Sequence, residues 1–302
     1  MRRPIALGSL LFLAAACTAP RSVLLSPEAL PKGGLEAGIQ TDGNFPTQTV
    51  SALDEGINDR IQDLYDRASG DGATAITAES LNGMLKALMA YAVDPLGSQA
   101  GVFVRYGFLP RFDGGYHRNG GANAFEVRWQ FLGPAARDTA EAGYAEAWRG
   151  GIGLQFSSQS FEVPSFLGLD MLQSLLGFEF KRKDVLVPLI FGKPWDPSGR
   201  YGGFALGAAY NLTFLEYDMN LRKLVEELDD GGTRPFPPLL GEQTISAFGG
   251  FVNARLGYRW IFLVGSMACY WQDYGTFTLA AGKREHLEGL TFLPTLGLEA
   301  RW

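Results

Sequence analysis

The amino-acid sequence predicts an all-β protein: a closed antiparallel transmembrane β-barrel of about ten strands, within a range of about eight to twelve, with amphipathic helices in its loops. Three observations carry that expectation. Apolar residues recur at every second position in one segment after another. The positions between them form a second face that mixes glycine with charge. Short and long connections then alternate along the chain.

The last segment shows the pattern most plainly. Leu290, Phe292, Pro294, Leu296, Leu298, Ala300 and Trp302 alternate with Thr291, Leu293, Thr295, Gly297, Glu299 and Arg301. Successive side chains of a strand point to opposite faces, so one face is apolar and the other carries charge. Phe125, Val127, Trp129 and Phe131 alternate in the same way with Glu126, Arg128 and Gln130. Val102, Val104, Tyr106 and Phe108 alternate with Gly101, Phe103, Arg105 and Gly107. A soluble sandwich also alternates. Glycine mixed with charge on the second face instead suits a crowded, polar barrel interior.

Ten strands follow, at about 34–42, 98–107, 111–118, 123–132, 144–158, 178–192, 201–216, 244–257, 260–273 and 289–302. Two stand apart. Residues 260–273 are apolar on both faces, and residues 178–192 contain "KRKD", which also reads as a hairpin. The links "FLP", "GPAARDTAEAG", "KPWDPSGR" and "GY" follow the even-numbered strands, and most of the other links are much longer. Membrane barrels have short turns on the periplasmic side and long loops outside, which puts both termini on the short-turn side. The longest apolar run, "WIFLVGSMACYW", falls short of the ~20 residues a membrane helix needs, whereas a tilted strand needs about 9–11.

Four stretches have helical spacing. Val50, Leu53, Ile57, Ile61 and Leu64 form one stripe, and Leu81, Met84, Leu85, Leu88 and Met89 a second. Residues 165–176 make a third, and Leu221, Leu224, Val225 and Leu228 a fourth. Such stripes are the ordinary signature of packing, so these helices are expected to cap the barrel mouth.

The chain opens "MRRPIALGSLLFLAAACTAP", with a basic start, a short apolar run and small residues, as an export signal does. Removing residues 1–16 takes away Arg2 and Arg3 and no acid, so 24 basic and 32 acidic residues leave a net charge of −8. Nucleic acid is therefore not an expected partner. The organisation expected is a signal over 1–16, a linker over 17–33 and one barrel domain over 34–302, with a helical insert at 50–93. Only Cys17 and Cys269 are present, too few for a disulfide framework once Cys17 is acylated or removed.

Two motifs add resemblances. "LAAAC" resembles the lipobox of bacterial lipoproteins, which implies acylation of Cys17 and a lipid-anchored linker. "TLGLEARW" resembles the C-terminal β-signal of outer-membrane barrels, with Thr295, Gly297, Ala300 and Trp302 at its positions. That resemblance implies the bacterial outer membrane as location, and outer-membrane lipids and the barrel assembly machinery as partners. "LPKGGLEAGIQ" and "VRYGFLPRFDGGY" also resemble hairpin pieces of such barrels.

Candidate chemistry is sparse. His117, on the expected interior face, is the centre of a reading as an outer-membrane hydrolase, while a lone His is more often an interior hydrogen-bonder. No His/Cys spacing suggests zinc, and neither a P-loop nor a dinucleotide fingerprint is present, so neither metal nor cofactor is expected. The interior faces carry Glu36, Asp113, Glu126 and Glu299 against Arg105, Arg111, Arg128, Arg149, Arg255 and Arg301. A narrow barrel that excludes water must pair such charges. The expectation is a non-enzymatic surface or envelope protein whose lumen is plugged by this network, binding a surface partner or a small apolar ligand. A narrow diffusion channel is the other alternative.

Overall fold

A computed structural model of the protein describes residues 21–57, 74–76, 78–135, 147–161, 179–196, 200–219, 224–227 and 232–302. In chain order the elements are β1 (Leu35–Pro46), α1 (Thr47–Ile57), β2 (Thr74–Ile76), α2 (Ala78–Val93), β3 (Gly97–Leu109), β4 (Phe112–Asn119) and β5 (Ala122–Leu132). Then come β6 (Arg149–Phe161), β7 (Glu179–Pro194), β8 (Gly202–Met219), β9 (Leu224–Glu227), β10 (Thr233–Pro235), β11 (Leu239–Tyr258), β12 (Ile261–Thr278) and β13 (Arg284–Arg301). Ten of these strands close into a barrel in the order β1-β13-β12-β11-β8-β7-β6-β5-β4-β3, every neighbour antiparallel. Each strand expected from the alternation is present. β7 is one continuous strand through "KRKD", paired on both sides, and not a hairpin.

The ends of the sheet meet where β1 pairs with β13. Leu35 and Trp302 exchange backbone hydrogen bonds, at 2.8 and 3.0 Å, and the ladder then runs from Glu36↔Arg301 to Pro46↔Thr291. We call this end of the barrel lower. It also carries the turns β3–β4 and β11–β12 and the β5–β6 connection, while the connections β1–β3, β6–β7 and β8–β11 leave from the upper end.

The outward face carries an apolar band. Phe204 to Phe214 on β8, Phe248 to Tyr258 on β11 and Ile261 to Trp271 on β12 each set apolar or glycine residues outward, runs of about the 9–11 residues a tilted spanning strand needs. Above the band the outward positions turn polar, with Lys181, Glu216, Asp218, Glu242, Asp273 and Glu288. Below it, exposed Trp129, Trp148, Trp195, Tyr201, Tyr258, Trp260 and Trp302 ring the lower rim. Aromatic girdles of this kind mark the edge of a hydrocarbon layer.

Two of the four expected helices are present in the described residues. α2 sits in the upper mouth, and Leu81, Met84, Leu85, Leu88 and Met89 pack on Phe180, Leu215, Ile245, Tyr274, Phe277 and Leu287 from the wall. Pro95 follows its end and drives Asp94 out of helical geometry. α1 begins the first stripe, and the rest of that stripe lies outside the described residues, as do residues 165–176. The fourth stripe is corrected: Leu224–Glu227 is strand β9, parallel to β2 and antiparallel to β10. Ladder hydrogen bonds from two neighbours override the helical spacing of so short a segment.

Candidate functional site

The lumen is where the charged and polar side chains gather, and strand register dictates which of them meet. Glu36 lies directly opposite Arg301 on one side and Arg105 on the other, and it pairs with both. Arg105 also reaches Glu126 across β4, where the intervening ladder position is Gly115. A Cβ there would stand 2.8 Å from both the Arg105 stem and the Glu126 carboxylate, so glycine leaves the gap through which they join. Asp113 is opposite Arg128 and binds it through both carboxylate oxygens. On β13, Glu299 accepts from Arg255 at 3.0 Å and lies 3.6 Å from Arg301.

Glu36, Arg105, Asp113, Arg128, Arg149 and Glu299 are each no more than 2% exposed. Charges so deep are held by partners. Losing one partner is costly, even though the pair itself adds little over a well-packed apolar isostere.

Residues 21–30 run through this lumen from end to end, as an extended arm within the stretch that the sequence alone reads as a linker. At the lower end, Leu30 N–H donates to Asp113 Oδ2 at 2.8 Å and Ala29 N–H to Gln130 Oε1 at 3.1 Å. Higher up, Arg128 donates to the Ser26 carbonyl, Asn253 to the Leu25 carbonyl at 3.2 Å and Ser266 to the Val23 carbonyl at 3.4 Å. At the top, Tyr270 donates to the Arg21 carbonyl at 3.1 Å, and the Arg21 guanidinium binds Gln272 and Asp94. Backbone groups with no sheet ladder are thus satisfied by side chains of the wall.

The arm explains a strand that is apolar on both faces. Val23 and Leu25 pack on Leu186, Ile190, Ala205, Ala209, Ala247, Phe251, Ala268 and Tyr270, which form an apolar inner wall on β7, β8, β11 and β12. Leu24 packs on Phe262 and Val264. Those positions of β12 and β7 face the arm rather than water. Beneath it the chain reverses at Pro31 and enters β1, and Gly107 gives it room: a Cβ there would lie 2.1 Å from the Pro31 carbonyl oxygen. The tract "LPKGGLEAGIQ" is therefore this reversal and the strand that follows, not a hairpin.

Asp94 forms a hub where the arm, the helices and the wall join. Besides Arg21, its carboxylate accepts from Asn44 at 2.6 Å and Tyr274 at 3.0 Å, and from Gln272 and Thr291, while its backbone carbonyl accepts from Thr49 at 2.7 Å. Burial opposes the Asp94 charge, but Arg21, with hydrogen bonds from Asn44 and Thr291, holds the carboxyl below the usual range. A second cluster, Arg182 with Asp184 at 2.8 Å, also binds Asn211 and Thr213.

The expected lumen residues fall as follows. Glu36, Arg105, Asp113, Glu126, Arg128, Arg255, Glu299 and Arg301 join the pairs above. Arg149 lies 3.8 Å from Glu28 of the arm. Arg111 is corrected: it sits in the β3–β4 turn with φ 67°, half-buried, where its carbonyl accepts the Gln130 N–H, so it stands at the rim rather than on the interior face. His117 stacks on Phe103 at 5.6 Å, and its Nε2 stands 3.0 Å from Glu126 Oε2 but off the line of a well-aligned hydrogen bond. Its opposite residues in the ladder are Phe103 and Ala124, neither a nucleophile. Thr295 and Gly297 face the lumen, while Ala300 and Trp302 face outward. Cys17 lies outside the described residues.

Arg21, Glu28, Asp94, Arg182 and Asp184 were not among the residues expected to form the site. For the arm the signal was indirect: inward apolar residues on 260–273 require an apolar body inside the barrel. For Asp94 there was none, since its partners come from segments far apart in the chain.

No protein-family model matches the chain, and no curated protein matches it in sequence. Solved structures that resemble it are bacterial outer-membrane β-barrels. The attachment invasion locus protein Ail of Yersinia pestis is 8% identical at a TM-score of 0.30, covering 90% of this chain and 100% of that one. The N-terminal β-barrel domain of Pseudomonas aeruginosa OprF is 8% identical at a TM-score of 0.21, covering 90% and 98%. The outer membrane protein OprG of Pseudomonas aeruginosa is 8% identical at 0.28, covering 91% and 98%. These overlaps are loose, and the architecture is read from the barrel's own closed ladder.

Proposed function

We propose that the protein is an integral outer-membrane barrel, closed to ions, that serves the envelope as a non-enzymatic surface protein through its upper connections. The observation that carries the closed reading is the arm, residues 21–30, lying along the lumen between paired charges and an apolar wall. The membrane reading is supported by the outward apolar band and the aromatic lower rim. Lipids of the outer membrane are then its solvent, and the last strand, with Thr295, Gly297, Ala300 and Trp302, is the segment offered to the barrel assembly machinery.

A cavity of about 40 Å³ lies beside the arm, lined by Leu25, Pro27, Glu28, Arg149, Asn253 and Arg255. It has room for a few waters and none for a small apolar ligand. A surface partner therefore fits the geometry better than a ligand in the lumen. His117, held against Glu126 and Phe103, serves the network and not catalysis. The test is electrical. Purified protein in a planar bilayer is expected to show no steady conductance, and stable ion-selective current from the wild-type protein would reject this reading in favour of the narrow channel.

A further inference from the structure

A barrel with short lower turns is ordinarily expected to keep its N-terminus at the lower end, beside Trp302. The arm contradicts that expectation. Its contacts on β12 climb from Val264 beside Leu24, through Ser266 at Val23, to Tyr270 and Gln272 at Arg21. β12 begins at the lower β11–β12 turn and rises to the long connections. The arm therefore runs upward as residue numbers fall, from the reversal at Pro31 to Arg21 at the top of the apolar band.

We infer that the chain is threaded: the segment preceding Arg21 leaves through the upper mouth, on the side of the long connections and opposite Trp302. Two anchors fix the direction. The reversal at the bottom is held by Gly33 N–H to the Gly107 carbonyl at 2.7 Å and Gly107 N–H to the Gly34 carbonyl at 2.9 Å. At the top, Arg21 is 0% exposed, with its charge on Asp94, at the junction of α2 and β3. A sliding or reversed arm would leave Arg21 and Asp94 each buried without its opposite charge, a costly state. Residue 17 is four residues beyond Arg21, at most about 14 Å of extended chain. The arm thus enters the barrel from the upper mouth. With the outer-membrane orientation proposed above, on which this consequence rests, that mouth is the cell surface.

The test compares one epitope at three sites: between Pro20 and Arg21, between Arg259 and Trp260 in a lower turn, and after Lys283 in an upper connection. On intact cells, antibody is expected to reach the first and third alike and the second only after permeabilisation. An N-terminal epitope that follows the Arg259 site would overturn the threading. If all three sites were inverted, with the first and third still together, the threading would stand and the orientation would fall. A second variant guards against an arm displaced by the epitope. Ser22→Cys with Gln40→Cys, in a Cys269→Ser background, joins side chains whose polar atoms lie 3.3 Å apart. A disulfide is expected in the heat-modifiable folded barrel, and its absence from a folded barrel would overturn the proposal.

Discussion

The two inner walls of this barrel face the same ten-residue stretch of chain and solve the task differently. On β1, β3, β4, β5 and β13 the wall is built of arginine and carboxylate, and the ladder sets Glu36 opposite Arg105 and Arg301 and Asp113 opposite Arg128. On β7, β8, β11 and β12 the middle of the wall carries alanine, leucine, isoleucine and aromatic rings that close on Val23 and Leu25, flanked by polar groups such as Arg182, Asp184 and Arg255. The charged wall satisfies the lower part of the arm's backbone from Asp113, Arg128 and Gln130, and the other wall adds contact area together with donors from Asn253, Ser266 and Tyr270. One wall is specific because a misplaced residue strands a charge. The other is forgiving because packing degrades by degrees. The inward face of a barrel strand is thus decided by what lies in the lumen at that point.

The sharpest way to break that contrast is Arg128→Ala. Arg128 is 1% exposed and joins Asp113 to the Ser26 carbonyl, so its loss strands a carboxylate and loosens the arm at once. A destabilisation of about 3–5 kcal/mol is expected, read as a lower melting temperature in detergent or a lower denaturant midpoint. Replacing both partners, Arg128→Met with Asp113→Leu, is expected to recover only part of the loss, because no charge is then left alone but the Leu30 N–H and the Ser26 carbonyl lose their partners. Melting that ignores Arg128→Ala would mean that water reaches the pair.

Much of the charged wall was legible in the sequence, and little of the apolar one. Alternation places Glu36, Arg105, Glu126 and Arg128 on one face without any knowledge of the fold, since a strand has only two faces. Register then follows from the short turns, which is why Asp113 meets Arg128. The arm has no such period. Residues 21–30 are extended, but their side chains meet different strands on every side and no ladder repeats, so "RSVLLSPEAL" reads like a linker. Its trace lay in its surroundings: the strand with two apolar faces, 260–273, was anomalous for a water-facing interior and ordinary for one that packs on Val23 and Leu24. Leu224–Glu227 misled for the converse reason, since its helical spacing gave no hint of the strand partners β2 and β10.

A smaller effect is expected on the apolar wall. Ile190 is 0% exposed and belongs to the cluster that closes on the arm. Ile190→Val removes one methylene and strands no polar group, so about 0.5–1.5 kcal/mol is the expected cost, measured by the same unfolding assay. A loss as large as that of Arg128→Ala would show that the two walls are equally exacting, and the contrast drawn above would fail.

The last test lies where the walls, the arm and the helical cap meet, and it is read as a change with pH rather than as a loss at neutrality. Asp94 is fully buried, and against the burial that would raise it, Arg21 together with hydrogen bonds from Asn44 and Thr291 holds its carboxyl below the ordinary range. A carboxylate with a depressed folded-state pKa contributes stability that is complete above its unfolded pKa, about 3.9, and is lost as pH falls below that value toward the folded pKa. Acidification also protonates other carboxylates, so the informative quantity is the gap between wild type and Asp94→Asn. That gap is expected to stay constant between about pH 7 and 5 and to narrow once pH drops below about 4. Tyr274, whose hydroxyl donates to the carboxylate, and Arg182 nearby remain in both proteins and do not move the comparison. A gap that widens as pH falls from about 7 to 5 would mean that burial outweighs the partners of Asp94 and raises its carboxyl. The top of the arm would then be held chiefly by Gln272 and by the Tyr270 bond to the Arg21 carbonyl, and the polar and apolar walls would differ less than their residues imply.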